Sequence, residues 1–318
     1  MFKAARILFI YVETPLHAGS GRGMGAIDLP IQRERTSNYP MVQASGVKGA
    51  LRADIEDRFG NDGKEAAISL FGPRQQADHA GAVSPGDARL LLFPVRSLSG
   101  VFAWATSVHA LERFRRDAQA AGETLAWTTP AEPDKNSALT GSKCKVLASG
   151  RVVLEEYAFT PSPNHDAQAQ VDAIATWIAT QALPGQPEYD YWRKVLPGKL
   201  IVLPEDAFRD FTLFATEQAT RIKLNVATKT VDKEQGALWV EESLPVDTLM
   251  YSIMACADLR KRREDLATPV QALDYVAKLN GARLQLGGDE TVGRGLVALR
   301  FGATHHLVGA PAAEGNHA

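Results

Sequence analysis

The chain has 318 residues, 45% of them apolar, enough to bury a core as one large domain or two smaller ones. No run of about eighteen consecutive apolar residues occurs, which excludes a membrane-spanning helix on length. The formal net charge of −2 lacks the basic excess of a dedicated nucleic-acid binder, so any anion site must be local, built from a few placed cations and backbone amides.

The N-terminus, Met1 to Arg6, runs straight into a strand-like segment without a small-residue cleavage signal, so a cytoplasmic location is expected. Cys144 and Cys256 lie far apart, form no metal-ligand pair and fit a reducing compartment. Ile7 to Val12 is a continuous apolar run and predicts a strand buried on both faces. A glycine-rich loop follows, spanning about residues 15–45. Ser45 then reads as an N-cap, with Val47, Leu51, Ile55 and Phe59 forming one helical stripe that stops at Gly60. After a polar loop from about Gly72 to Gly86, a second buried strand is expected from Arg89 to Phe93, closed by Pro94. Ser107 to Ala121 reads as an amphipathic helix ended by Gly122. Thr128 to Lys145 reads as loop, Val152 to Phe159 as one alternating strand, Val171 to Ala182 as helix and Leu200 to Leu203 as strand. Arg221 to Val226 and Ala237 to Glu242 flank a turn around residues 232–236 and predict a hairpin. Thr268-Pro269 is a helix start, and Arg283 to Leu286 and Leu296 to Phe301 are strands around a second glycine-rich loop. The tail over residues 303–318 is small and polar and reads as loose. No repeat of 20–50 residues occurs, which excludes a solenoid. This order predicts an α+β fold with a mainly antiparallel sheet, best fitted by a ferredoxin-like (RRM-like) core with insertions.

The loop from His17 to Arg35 carries glycines at positions 19, 21, 23 and 25, which let a backbone approach a ligand and aim amides at an anion. Arg22, Arg33 and Arg35 are candidate phosphate donors. A solvated connector with a turn at Asp28 is the competing reading. At the helix start, Ser45-Gly46-Val47-Lys48-Gly49 places a cation where the macrodipole disfavours it, beside two glycines that cost helix propensity. A phosphate bound by the helix end, Lys48 and Arg52 offsets both penalties, whereas an exposed helix start would merely tolerate them. Gly287-Gly288 to Gly293-Arg294-Gly295 lacks the Walker and dinucleotide patterns; it is either a backbone nest for phosphate or a wide turn. The hairpin carries Arg221, Lys223, Lys229, Lys233, Trp239, Glu241 and Glu242, and its indole either meets a base or anchors a core. Arg260-Lys261-Arg262-Arg263 reads as a solvated face.

Taken in order, these segments resemble the RAMP superfamily of CRISPR proteins, and within it the repeated backbone subunits of the type III-B (Cmr) complex. The resemblance rests on the loop at His17, the string Asp28-Leu29-Pro30-Ile31-Gln32-Arg33-Glu34-Arg35 and the helix start Ser45-Gly46-x-Lys48-Gly49-x-x-Arg52. It continues through Gly86-Asp87-Ala88-Arg89-Leu90-Leu91, Phe93-Pro94-Val95-Arg96-Ser97, Gly236-Ala237-Leu238-Trp239 with Glu241-Glu242, and Gln285 to Gly295. It implies a modified RRM-like palm, a helical fingers insertion and a thumb hairpin over about residues 200–245. It also implies stacking of copies along a guide RNA, contact with other subunits of the Cmr complex, and cleavage of the paired target RNA. Asp28 matches the catalytic aspartate of the resemblance. A carboxylate is a weak base for a ribose 2′-OH, so Asp28 is expected to hold Mg²⁺ or another divalent cation while that hydroxyl attacks. His17 and Glu241 are further catalytic candidates, for proton transfer or metal positioning. Ser45, Lys48, Gly49, Arg52, Gly287, Gly288, Gly293, Arg294, Gly295, Arg22, Arg35 and Trp239 are the expected RNA contacts. The alternatives are a scaffold subunit that grips RNA without cutting it, a metal-independent guide-processing nuclease of the same superfamily, and an unrelated phosphate enzyme.

Overall fold

The apolar run near the N-terminus becomes β1 (Ala4–Val12), whose side chains alternate between two cores. Leu8, Ile10 and Val12 enter one, and Ile7, Phe9 and Tyr11 enter the other, as expected of a strand covered on both faces. The structure is a computed structural model, and it describes residues 1–23, 25–75, 79–223, 228 and 238–307. After β1 come the short β2 (Met41–Val42), helices α1 (Ala44–Arg58) and α2 (Gly60–Phe71), then β3 (Val83–Pro85), β4 (Ala88–Arg96) and β5 (Phe102–Ser107). Helix α3 (Val108–Ala120) leads to β6 (Ser137–Thr140), β7 (Leu147–Ala148), β8 (Arg151–Leu154) and β9 (Tyr157–Pro161). Helices α4 (His165–Trp177) and α5 (Asp190–Val195) precede β10 (Leu200–Leu203), and α6 (Glu205–Phe214) precedes β11 (Glu217–Ile222) and β12 (Leu238–Ser243). The order ends with β13 (Leu249–Cys256), α7 (Pro269–Val276), β14 (Arg283–Gln285) and β15 (Leu296–His306).

Among the described residues, thirteen strands join one mixed sheet, eleven along the path β14-β15-β1-β13-β4-β5-β10-β6-β9-β8-β7 with β2 on β4 and β3 on β13 beside it, while β11 and β12 form a separate ribbon. The segment β15-β1-β13-β4 is antiparallel throughout; the pairs β5–β10 and β6–β9 are parallel. Helices α1 and α7 pack on one face with Leu8 and Ile10, and α3 and α4 cover the other with Phe9 and Tyr11. The expectation of an α+β fold therefore holds. No helix among the described residues is long and apolar enough to cross a membrane.

Several local expectations need correction. Ser45 does not cap α1: Gln43 occupies the N-cap without a side-chain bond, and Ser45 lies inside the first turn. The capping acceptor comes from the connection between β3 and β4, where Asp87 Oδ1 receives the Ala44 amide at 2.8 Å. Gly60 ends one helix and opens another, because its φ of +57° turns the chain without a Cβ penalty. Pro94 does not close its strand; the ladder to β13 has already ended at Leu92, so no donor is missed. The expected loop over 128–145 contains β6, and the single strand over 152–159 is the hairpin β8–β9, turned at Glu155 with φ +49°. The tail expected from residue 303 is strand up to His306, because β1 supplies partners as far as Ala4; residues 308–318 lie outside the described residues. So do the hairpin's expected turn and its Lys229 and Lys233.

Asp87 reaches across from the sheet to hold the start of α1. Asp87→Ala should lower stability by about 1 kcal/mol, the typical value of a lost helix cap. Chemical denaturation of the two proteins measures it, and an unchanged midpoint rejects the assignment.

Candidate active site and RNA interface

The segment carrying Asp28 has little regular structure, and its position comes from the ribbon. Leu29 lies along the free edge of β12: its amide donates to Val240 O at 3.0 Å, and the Glu242 amide donates to Leu29 O at 3.0 Å. The exposed Asp28 carboxylate accepts the Val240 amide through Oδ2 at 2.8 Å. His17 is nearly buried, and its Nδ1 lies 2.7 Å from Glu242 O. A carbonyl only accepts, so Nδ1 carries a hydrogen and Nε2 is the nitrogen left to exchange a proton. Three successive residues of β12, Val240 to Glu242, thus gather the three catalytic candidates Asp28, Glu241 and His17.

Glu241 is buried, with both oxygens engaged: Trp239 Nε1 donates to Oε1 at 2.9 Å, and Arg221 Nε pairs with Oε2 at 2.8 Å. Burial alone would raise its pKa, but the indole bond, Arg221 and the nearby His17 together hold it below the usual carboxylate range. Glu241 is therefore an ionised strut for Trp239 and Arg221. The indole is half-buried with its N–H satisfied, and Arg221 is its cross-strand partner.

Glu242 faces the other way and is 2% exposed. Its Oε1 accepts from Arg33 Nη2 at 2.5 Å and Thr216 Oγ1 at 2.9 Å, and its Oε2 from the Ile31 amide at 3.0 Å. Arg33 also donates to the carbonyls of Asn38 and Thr212, so it is spent internally and is not a phosphate donor. Removing one partner of such a buried pair typically costs about 3–5 kcal/mol. Sequence reasoning passed over Glu242 in favour of Glu241. The available signal was parity, since Glu242 shares its strand face with the buried Leu244.

The second glycine loop closes over His17. The Gly288 amide donates to His17 O at 2.9 Å, and Gly295 donates to Pro15 O at 2.9 Å. Gly293 and Gly288 are exposed at its rim. Arg294 sits 3.4 Å from Glu217 at the start of the ribbon, so it ties loop to ribbon. Gln32, which the sequence did not single out, joins this cluster to α1: its Oε1 accepts the Gln43 amide at 2.8 Å and its Nε2 donates to Gly19 O at 3.0 Å.

On α1, Arg52 is committed to Glu56 at 2.7 Å and to Gly72 O at 2.7 Å. Lys48, half-buried, has no ion pair among the described residues; burial and then the charge of Arg52 lower its pKa. Gly49 and Ser45 are exposed, with open space above Gly49. Arg22 and Arg35 are exposed and make no ion pair among the described residues. For a divalent cation, no group of three or more His, Cys, Asp or Glu side chains is gathered among the described residues. Glu241 is fully engaged, which leaves Asp28 Oδ1 as the hard oxygen on offer. One carboxylate fits an ion whose other ligands are phosphate oxygens and water.

Gly287 has φ +80°, and a Cβ there would lie 2.5 Å from His17 O. Gly287→Ala should cost about 1–3 kcal/mol through backbone strain. Thermal unfolding reads it; an unchanged melting point would mean the loop does not clasp His17 as described.

With this geometry in place, comparison with known proteins gives a consistent answer. The description of the RAMP superfamily matches residues 9–298. A CRISPR system Cmr endoribonuclease, Cmr4 of Pyrococcus furiosus, is 36% identical over 309 residues, covering 95% of this chain and 99% of that protein. The crystal structure of oligomeric Cmr4 from Pyrococcus furiosus superposes with a TM-score of 0.71 at 29% identity, covering 97% of this chain and 100% of that one. A chain in the cryo-EM structure of the type III-B Cmr-beta complex bound to cognate target RNA gives 0.68 at 22% identity, covering 94% of this chain and 98% of that one, a likeness of fold. The chain belongs to the RAMP superfamily, and within it to the Cmr4 family of CRISPR proteins.

Proposed function

We propose that this chain is the repeated backbone subunit of a type III-B CRISPR ribonucleoprotein, an endoribonuclease that grips guide RNA and cuts the target RNA paired to it. The observation that carries this reading is the exposed Asp28 carboxylate, fixed by a main-chain bond on the ribbon edge beside His17 and the Arg221–Glu241–Trp239 strut. A purely scaffolding subunit would use only the Oδ2 bond to Val240 and leaves the exposed Oδ1 without a task.

The antiparallel order β15-β1-β13-β4, with α1 and α7 on one face, supports an RRM-like palm. We take α2 and the segment after it as fingers, and the ribbon β11–β12 within residues 200–245 as the thumb. Copies stacked head to tail make a heterologous contact that extends into a filament, capped by other Cmr subunits. Specificity then lies in base pairing, and the protein holds backbone.

Lys48 is the principal guide-RNA cation. It is desolvated, lies close to Arg52 and sits near the positive end of α1, and a phosphate over Gly49 relieves all three penalties. Arg52 and Arg294, bound internally, shape the site, while Arg22 and Arg35 remain free to meet phosphates. The half-buried Trp239 stacks on a nucleotide at the ribbon.

Target RNA splayed at the ribbon presents its own 2′-OH to the adjacent phosphate. A divalent cation held by Asp28 Oδ1 would supply charge neutralisation at that phosphate. Asp28 is kept in register by Val240, and His17 exchanges protons at Nε2. Cleavage by this route leaves a 2′,3′-cyclic phosphate and a 5′-hydroxyl.

Asp28→Asn in the assembled complex should leave guide and target binding intact and abolish cutting; persistent cutting in a magnesium buffer rejects the site. EDTA should stop cleavage and added Mg²⁺ restore it, and cleavage that survives the chelator refutes the metal assignment. Lys48→Ala should weaken guide binding and lower the logarithmic salt slope by about 0.7, the value of one single-strand phosphate contact. A filter-binding titration across salt concentrations measures that slope.

A further inference from the structure

We infer that Glu242 is the positioning residue of the cleavage site, holding Asp28 and His17 in register through its carboxylate, amide and carbonyl together. The inference rests on the proposed cleavage at Asp28 and adds a residue that touches neither substrate nor metal.

Each polar group of Glu242 reaches a different part of the site. The amide bonds Leu29 O at 3.0 Å, one residue beyond Asp28. The carbonyl lies 2.7 Å from His17 Nδ1, which fixes the tautomer that leaves Nε2 free. The carboxylate takes the Ile31 amide at 3.0 Å and the Arg33 guanidinium at 2.5 Å. Through Arg33 the hold extends to Asn38 O at 3.0 Å and to Thr212 O at 2.9 Å, anchoring the far end of the loop on α6. Thr216, just before the ribbon begins, completes the carboxylate at 2.9 Å.

Backbone pairing of this segment to the ribbon is short, although the amides of Gly23, Ser20 and Gln32 donate to Asp28 O at 2.8 Å, Pro30 O at 2.9 Å and Ala18 O at 2.8 Å and tie the loop to itself. Leu29 and Ile31 make only isolated bridges, to Glu241 and Gly19, and the chain on either side is irregular. A ladder that short can shift by one residue, which would turn Asp28 away from the exposed side. The carboxylate pins the register at two points past the bridge. A buried charge is a costly way to hold a loop, since both ions must leave water. It suits a joint whose geometry has little slack, because displacement of reacting groups by about 1 Å costs on the order of 10²-fold in rate.

The test uses the reconstituted complex with guide and a labelled target, under single-turnover conditions, with Asp28→Asn alongside. Glu242→Gln keeps the shape and one acceptor oxygen but removes the charge that holds Arg33. The expected result is a fall in the cleavage rate constant on the order of 10²-fold, with the target concentration for half-maximal rate unchanged. A merely structural role would reduce the fraction of active complex, seen as amplitude, and leave the rate constant intact; that outcome overturns the inference. Thr216→Val removes a single neutral bond to the same carboxylate and covers the case in which Glu242→Gln does not assemble. It should give a smaller fall in the same rate constant, and an unchanged rate constant there also refutes the role. If Asp28→Asn cuts normally, the cleavage site itself is wrong and the inference falls with it. If Asp28→Asn is dead while Glu242→Gln retains the full rate constant, the site stands and only the positioning role is lost.

Discussion

The free edge of β12 is the constraint on which the site depends. One edge of this strand pairs with β11; the other takes Leu29 between Val240 O and the Glu242 amide. Asp28 sits in a loop whose sequence, rich in glycine and proline, gives it little structure of its own. Borrowing a strand edge supplies the missing order at the cost of a few main-chain bonds. It also resolves the usual difficulty of an exposed strand edge, which is covered here by the chain's own loop. The carboxylate stays in solvent while the backbone beneath it is paired.

A chain with net charge −2 can still serve a polyanion because its cations do different work. Arg33, Arg52 and Arg294 face carboxylates and carbonyls of the protein, where a planar fork with several donors is most useful. Their positions near the glycine loops suggest phosphate binding when read from sequence, yet they build the walls. Lys48, Arg22 and Arg35 carry charge that the described residues do not neutralise. Lys48 differs from the other two because burial has removed part of its water and Arg52 lies close enough to repel it. Anion binding therefore relieves more at Lys48 than at a fully hydrated cation.

The sheet was legible in some of the places where hydrophobicity was continuous. Ile7 to Val12 and Arg89 to Phe93 read as buried strands and lie in β1 and β4. The central β13 escaped notice although it pairs with β1 over eight residues and is apolar at every position but Ser252, so its signal was as continuous as that of β4. Helix α6 was missed because its apolar face rests on few residues, Phe208 and Phe211 among them. Caps supplied from a distance could not be read either: Asp87 serves α1 from forty-three positions away. In the site, the resemblance singled out Asp28 and His17 and the residue pattern Lys48, and the structure sets Asp28 and His17 against β12 and Lys48 on α1. Parity with Leu244 hinted at the face Glu242 takes, but sequence could not tell that Arg33 would meet its carboxylate, because that contact depends on how the loop lies on the ribbon.

Gln32 adds a link between the two halves of the proposed function. Its amide oxygen receives the Gln43 amide at the cap of α1, and its amide nitrogen donates to Gly19 O in the loop that faces His17. Gly19 has no room for a Cβ, which would lie 2.7 Å from His17 Nε2. The helix that carries Lys48 is thus connected to the histidine ring by one side chain and one glycine, with no flexible segment between them. Two hydrogen bonds of ordinary length contribute about 1 kcal/mol each, enough to favour one placement and too little to drive a transition. The arrangement therefore suits alignment, in which the guide strand proposed to lie on α1 sets the position of the paired target strand at the proposed cutting loop. A switch would require a second stable arrangement of Gln32, and its side chain has both ends satisfied in this one.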